Sequence, residues 1–197
     1  MTMTIPDRRE AARLLSSLEA PAWFLRHARV VADVAAWLAA GTVAGGHKVD
    51  RALVESGALL HDVDKLPQAA VPGTRHGDGS ARWLADQGYP ELGPMVRDHP
   101  VTRLASSTFD AWLADAPLEA LIVAYADKRG GQRLESMDAR FASWRRRYPS
   151  GWDATTEAAV RERARRLEAA VCTAAGVCPA EVRRLRWSGR ALAAVAA

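Results

Sequence analysis

The segment PAWFLRHARVVADVAAWLAAG, residues 21–41, constrains the fold more than any other stretch of this sequence. It opens with proline and closes with glycine, the residues favoured at the start of a helix and just beyond its end. The pattern predicts a helix from Pro21 to Gly41. No run of alternating apolar and polar residues flanked by turns, which would indicate a strand, is apparent in the chain. The sequence therefore predicts an all-α fold.

The same start and stop signals divide the rest of the chain into further helices. Asp7 is a suitable N-cap for a first helix that runs to Ala20, and Pro117 opens a helix through the apolar run that follows it. Helices are also predicted at residues 50–62, 80–88, 90–99, 137–148 and 153–175, and from Pro179 onward. We expect one domain over residues 1–197, with a core at about 20–148 and a C-terminal helical extension at about 152–197.

The composition is that of an ordinary globular protein. The 197 residues are 49% hydrophobic and carry a formal charge of +4, which suits an anionic small-molecule partner and gives no case for nucleic acid. The two cysteines exclude a disulfide framework. No apolar run approaches the length of a membrane span, and the N-terminus lacks the apolar region of a signal peptide. We therefore expect a cytoplasmic protein with no membrane partner.

Four ionisable residues, His27, His61, His99 and Asp127, occur on apolar helix faces. The residues three and four positions before each of them are apolar or glycine, and residues at these spacings share a helix face. A single buried histidine is usually a hydrogen-bonded core residue, but an unpaired buried charge is costly. Several inward-facing histidines and aspartates satisfy one another by sharing a cation. The joint pattern predicts a metal site of imidazole and carboxylate ligands, a donor set that suits Mn, Fe, Zn or Mg.

The sequence GALLHDVDKLP, residues 57–67, ends an apolar run with a histidine, two aspartates and a lysine. His61 and Asp62 are neighbours, so their side chains project about 100° apart on an α-helix. Both reach one ion only if that ion lies near the end of the helix, which is where the sequence places them. Asp64 either orients a water molecule or caps this turn.

The order His27, His61-Asp62, Asp127 resembles the H…HD…D signature of the HD-domain superfamily of metal-dependent phosphohydrolases. The surrounding segments RHARVVADVAAWLA, ALLHDVDK and VAYADKR resemble that family as well, and the resemblance spans about residues 20–148. His76 and His99 lie in a segment that is similar to the one in which some HD proteins carry two extra histidines for a second metal ion.

The resemblance implies a helical bundle with a dinuclear metal site. The implied ligands are His27, His61, Asp62 and Asp127 for the first ion, and Asp62, His76 and His99 for the second. Asp62 would bridge the two ions, which we expect to be Fe or Mn, with Zn, Co and Mg as other options. Two such ions activate a water molecule and stabilise both ends of an in-line displacement at phosphorus.

Several cationic residues are candidates for contacts with an anionic phosphoester or nucleotide-like substrate. The lysine after the HD pair contacts phosphate in related families, so Lys65 is a predicted catalytic residue together with Asp62. The other interpretation of Lys65 is a surface lysine favoured by the helix dipole. Further candidates for substrate contacts are Arg75, Lys128, Arg129 and Arg133, which flank the ligand segments.

Two functions other than phosphoester hydrolysis remain open at the level of sequence. HD-fold di-iron oxygenases use a similar ligand set, and oxygen consumption by the iron-loaded protein would distinguish them. A sensor that keeps the metal without turnover is the second alternative, and a bound, unhydrolysed nucleotide would favour it. The substrate, the oligomeric state and the role of the C-terminal helices are not predicted.

Overall fold

The computed structural model describes residues 5–147 and 151–196, and within these ranges the chain is all-α, as predicted. The α-helices are α1 Arg8–Ser16, α2 Ala22–Ala44, α3 Arg51–Leu60, α4 Asp78–Asp86, α5 Gly93–Arg97, α6 Thr102–Ala105, α7 Phe109–Asp115, α8 Leu118–Arg129, α9 Met137–Arg147, α10 Ala154–Ala175 and α11 Trp187–Ala196. Short 3₁₀ turns occur at Val63–Lys65, Pro90–Leu92 and Pro179–Glu181.

Helices α2 and α8 form the centre of the molecule. Helix α2 packs against α3, α8 and α10, and α8 also packs against α3 and α5. Val31 and Leu38 of α2 and Ile122 and Val123 of α8 are fully buried, and buried residues occur on all sides of both helices. A helix that is apolar all round belongs in the interior. Several polar side chains of these helices, among them His27, Asp33 and Asp127, are therefore buried, whereas Arg29 of α2 is exposed.

The predicted end of α2 at Gly41 is wrong. The helix continues to Ala44, and Gly45 is its C-cap. A Cβ atom on Gly41 would lie 2.9 Å from the carbonyl oxygen of Ala175, at the end of α10. Gly41 therefore permits the close approach of α2 and α10 and does not terminate the helix.

The aspartate caps are where the sequence predicts them. Asp7 accepts hydrogen bonds from the backbone amides at the start of α1, and Asp153 accepts one from the amide of Thr156 at the start of α10. Helix α1 ends at Ser16, however, before the predicted limit at Ala20. The predicted end of α9 and of the core, at residue 148, lies outside the described residues.

The prediction that the last helix begins at Pro179 is also wrong. Only a 3₁₀ turn begins there, and α11 begins at Trp187. The amide of Leu185 donates a 3.0 Å hydrogen bond to the carbonyl oxygen of Asp33 in α2. Because this bond joins the segment before α11 to another helix, the chain from Pro179 does not continue as one helix.

The C-terminal helix α11 is fixed to α2 by a buried carboxylate. Asp33 accepts hydrogen bonds from the backbone amide and the hydroxyl of Ser188, and it pairs with Arg184 at 3.2 Å. Helix α11 also packs against α1. None of the helices in the described ranges is long and apolar enough to cross a membrane.

Candidate metal centre

Four of the predicted ligands converge inside the helical bundle. His27 lies in the second turn of α2, His61 and Asp62 directly follow α3, and Asp127 lies in the last turn of α8. His27 Nε2 is 3.2 Å from His61 Nε2, 3.2 Å from Asp62 Oδ2 and 3.5 Å from Asp127 Oδ1. All four residues are buried. Helices that are far apart in sequence thus bring two imidazole nitrogens and two carboxylate oxygens to one point.

A second group of ligand atoms lies on the other side of Asp62. His76 lies just before α4, and His99 follows α5. Asp62 Oδ1 is 3.2 Å from His76 Nε2 and 3.1 Å from His99 Nε2, and these two nitrogens are 3.2 Å apart. Asp62 therefore presents one carboxylate oxygen to each group.

The chain turns sharply at Asp62. Helix α3 ends at Leu60, and Asp62 has φ −106° and ψ 10°, outside the α-helical region, before the 3₁₀ turn Val63–Lys65. This change of direction brings His61 Nε2 within 3.6 Å of Asp62 Oδ2, although regular helix geometry would separate the two side chains. The end of the helix is thus the reason that both residues reach the same cluster.

The protonation of His61 and His99 suits metal binding. His61 Nδ1 donates to the carbonyl oxygen of Ala58 over 2.8 Å, and His99 Nδ1 donates to that of Val96 over 2.5 Å. Because a carbonyl only accepts, each neutral ring has its unprotonated nitrogen at Nε2. Burial is the main reason that the pKa of His99 falls to about 4, so this ring is neutral at pH 7.

The two acceptor atoms of His99 and Asp62 face each other without a proton between them. His99 Nε2 carries a lone pair, and it lies 3.1 Å from the carboxylate oxygen Oδ1 of Asp62. Burial opposes the charged form of Asp62, but the charge of Lys65 and hydrogen bonds from His27 and His76 outweigh it and hold the pKa of Asp62 well below its usual value. An ionised carboxylate beside an imidazole lone pair is the donor set that a divalent cation satisfies. The residues present therefore fit a metal ion.

Asp64 orients His76. His76 Nδ1 donates to Asp64 Oδ1 over 2.9 Å, and Asp64 Oδ2 accepts from the amide of Gly77 over 2.7 Å. Burial lowers the pKa of His76, but hydrogen bonds to Asp62 and Asp64 outweigh this effect and raise it to about 9. His76 Nε2 would hold a metal ion in place of the proton that otherwise points to Asp62.

Lys128 contacts the ligand residues directly and lies away from solvent. Its Nζ donates to Asp127 Oδ2 over 2.6 Å and to the carbonyl oxygen of His99 over 2.5 Å, and the side chain is buried. Burial lowers the pKa of Lys128, although the neighbouring Asp127 opposes this shift. Lys128 thus joins a residue of the first group to a residue of the second.

Three of the arginines predicted to contact substrate face elsewhere. Arg75 pairs with Asp78 on the surface, and Arg129 is buried against the hydroxyl of Tyr125 and the carbonyl oxygen of Glu135. Arg133 is exposed. A cavity lies over the cluster, and neither these arginines nor Lys128 lines it. The arrangement of these residues therefore gives no support to the predicted substrate contacts.

Lys65 is placed differently. Its Nζ donates to Asp62 Oδ2 over 2.7 Å, and 44% of its side chain is exposed. It lines a cavity of about 610 Å³ whose floor includes His27, Asp62 and Asp127. Lys65 therefore contacts both a ligand residue and the space above the cluster, and its catalytic role stays a prediction.

The far wall of this cavity was missed by the sequence analysis. It includes the aromatic residues Phe141, Trp144 and Trp152 and the basic residues Arg140 and Arg145. The run Arg145, Arg146 and Arg147 of α9 has the pattern of a solvated helix face. Met137 and Trp144 lie three positions before and four positions after Arg140, on the same helix face, and this spacing is the signal that could have identified Arg140.

The fold and this cluster define a class of all-α proteins with an internal site for divalent metal. A family model for the HD domain matches residues 24–129, more than half of the chain, and the chain belongs to this family. The match includes all six predicted metal ligands. HD-domain proteins are generally metal-dependent hydrolases. Searches of curated proteins and of solved structures found no match.

Proposed function

We propose that this chain is a metal-dependent phosphohydrolase that acts on a phosphoester or a nucleotide-like small molecule. The main support for this proposal is the position of Asp62. Its two carboxylate oxygens face two separate groups of ligand atoms at the floor of the cavity. A carboxylate can bridge two ions in this way, whereas a histidine offers only one lone pair to the cluster. Basic and aromatic side chains above the floor suit an anionic organic substrate.

The site is proposed to hold two ions, with Fe or Mn preferred and Zn, Co or Mg as other options. His27, His61 and Asp127 would hold the first ion, Asp62 would bridge, and His76 and His99 would complete the second. When bound, such ions activate water for attack at phosphorus and stabilise the charge on the leaving oxygen.

The protein side chains supply position and charge. Backbone carbonyls fix the rings of His61 and His99, so that no reorientation is needed when metal binds. Lys65 Nζ lies beside Asp62 and is accessible from the cavity, where its ammonium group would contact a phosphate oxygen. The carboxylates of Asp62 and Asp127 remain ionised, because neighbouring positive charges offset the cost of their burial.

The proposal is tested by metal analysis followed by a panel of phosphoesters and nucleotides. We expect release of phosphate, or of nitrophenol from p-nitrophenyl phosphate, with Mn, Fe, Co or Mg, and loss of this activity when a chelator is added. If no compound in a broad panel turns over with any of these metals, the hydrolase proposal is wrong. Oxygen consumption by the iron-loaded protein would instead indicate an oxygenase.

A further inference from the structure

Arg140 of α9 is a buried cation that has no anionic partner among the residues that the structure describes. Only 6% of the residue is exposed, yet it lines the cavity over the metal ligands. Its Nε is buried and has no hydrogen-bond partner in the part of the chain that the structure describes. Nη2 lies 3.5 Å from the carbonyl oxygen of Asp127, at the limit of a hydrogen bond. No carboxylate in the described ranges forms an ion pair with it.

Such an arrangement is costly for a folded protein. A guanidinium group stays charged at all accessible pH values, and burying a charge is unfavourable unless it is paired. The ring of Trp144, 4.9 Å from the Arg140 guanidinium carbon, provides a cation–π contact but leaves Nε without an acceptor among the described residues. Lys128, another buried cation, faces the same ring at 5.8 Å. Because Lys128 pairs with Asp127, the uncompensated charge and the unused donor at this part of the cavity belong to Arg140.

Another arginine of the same helix provides a contrast. Arg145 also lines the cavity, but it forms a 2.6 Å ion pair with Glu157. Its charge is compensated within the protein, whereas that of Arg140 is not. Arg140 therefore needs an anion from a ligand to compensate its charge, whereas Arg145 does not, although both are arginines of α9.

We propose that Arg140 binds a second phosphate group of the substrate, in addition to the phosphate that is hydrolysed at the metal ligands. This inference rests on the proposed function for the identity of the reacting group. Arg140 reaches the backbone of Asp127, whose side chain belongs to the cluster, so one small molecule can occupy both positions. The forked donors of a guanidinium group match a phosphate better than a single ammonium does.

Binding of inorganic phosphate to the chelator-treated protein tests the anion site without any turnover. Calorimetric titration should detect binding to the parent protein and at least about tenfold weaker binding to Arg140→Gln, because a charge-assisted contact is lost. Arg165→Gln, which removes an exposed arginine of α10 that pairs with Glu162 and does not line the cavity, is the control and should bind within about twofold of the parent. Equal binding by the parent and Arg140→Gln, or no binding to the parent, would overturn the proposal.

Thermal unfolding separates this role from a structural one. Because Arg140 is a buried cation that lacks an anion, Arg140→Gln should unfold at a melting temperature no lower than that of the parent. Arg140→Lys, which keeps the charge, should bind phosphate more tightly than Arg140→Gln. A lower melting temperature with unchanged phosphate binding would identify Arg140 as a structural residue, and equal binding by the two variants would exclude a charge-based contact.

The metal-loaded protein provides an independent measurement. Arg140→Gln should raise the KM for a bisphosphorylated ester by at least about tenfold and leave that for p-nitrophenyl phosphate, which has one phosphate, nearly unchanged. Equal effects on both substrates would contradict a second phosphate site. Failure of the parent to hydrolyse any ester would contradict the proposed hydrolase function, while the phosphate titration would still decide the role of Arg140.

Discussion

Asp64 holds His76 in place over the cluster, through a 2.9 Å hydrogen bond from His76 Nδ1 to Asp64 Oδ1. The second oxygen of the same carboxylate accepts from the amide of Gly77, so one side chain fixes both the imidazole ring and the loop that carries it. Metal-binding histidines commonly donate their other nitrogen to a carboxylate in this way. Asp64 is thus tied to the predicted second ion without being one of its proposed ligands.

We expect Asp64→Ala to weaken binding of the second ion by about 10–100-fold, the usual effect of removing such a partner. Titration of the metal-free protein with Mn should show one tight and one weakened site. Asp78→Ala, which removes a nearby surface carboxylate paired with Arg75, is the control and should leave both sites intact. Two unchanged sites in Asp64→Ala would contradict this role.

Substitutions of the ligands should differ in how many ions they remove. His76→Ala and His99→Ala should each lower the metal content by one ion, because both residues contact Asp62 Oδ1. Asp62→Ala should impair both sites, and His27→Ala should chiefly weaken the first. Elemental analysis of the purified variants measures this directly. A fully loaded structure with a single ion far from His76 and His99 would rule out the dinuclear centre.

Lys65→Ala should lower kcat/KM for phosphoesters by at least about tenfold while leaving the metal content unchanged, because its ammonium group would contact substrate. The exposed Lys48, which is remote from the cavity lining, provides the control substitution Lys48→Ala. Steady-state kinetics and elemental analysis on the same preparations check both parts. Parental activity in Lys65→Ala would identify Lys65 as a surface residue that merely pairs with Asp62.

Metal removal should destabilise the folded protein. An ion that binds only the native state at a hundred times its Kd adds about 2.7 kcal/mol to the free energy of unfolding. For a chain of this size, that gain corresponds to a rise in melting temperature of about 5–10 °C. Calorimetry with Mn and with excess chelator measures the difference. The double variant His27→Ala, His99→Ala should lose most of this response, and a full response would place the ion elsewhere.

The sequence was sufficient to predict an all-α fold, and apolar periodicity reveals that His27, His61, His99 and Asp127 face inward. Asp62 and His76 were predicted as ligands from the resemblance to the HD family. Helix limits were less predictable. Gly41 is a packing residue within α2, and no local signal distinguishes this role from that of a terminating glycine. The segment after Pro179 is shaped by a hydrogen bond to Asp33, a contact between residues far apart in sequence.

The substrate contacts were the least predictable part of the site. Lys128 and Arg129 are adjacent to Asp127 in sequence, but successive helix residues project in different directions, so neither reaches the cavity. Arg140 lies on an apolar face and was overlooked because its neighbours Arg145, Arg146 and Arg147 have the pattern of a solvated helix. Which arginine of α9 is buried depends on how this helix packs against the rest of the protein. The local sequence does not contain that information.

The cavity combines two separate parts of the chain. The predicted metal ligands lie between His27 and Asp127, within the stretch that matches the HD family, whereas the aromatic and basic wall comes from α9 and the residues that follow it. Mutations in the wall can therefore accumulate without disturbing the ligands. Such a division would let the proposed metal centre stay unchanged while the side chains that face the proposed substrate change.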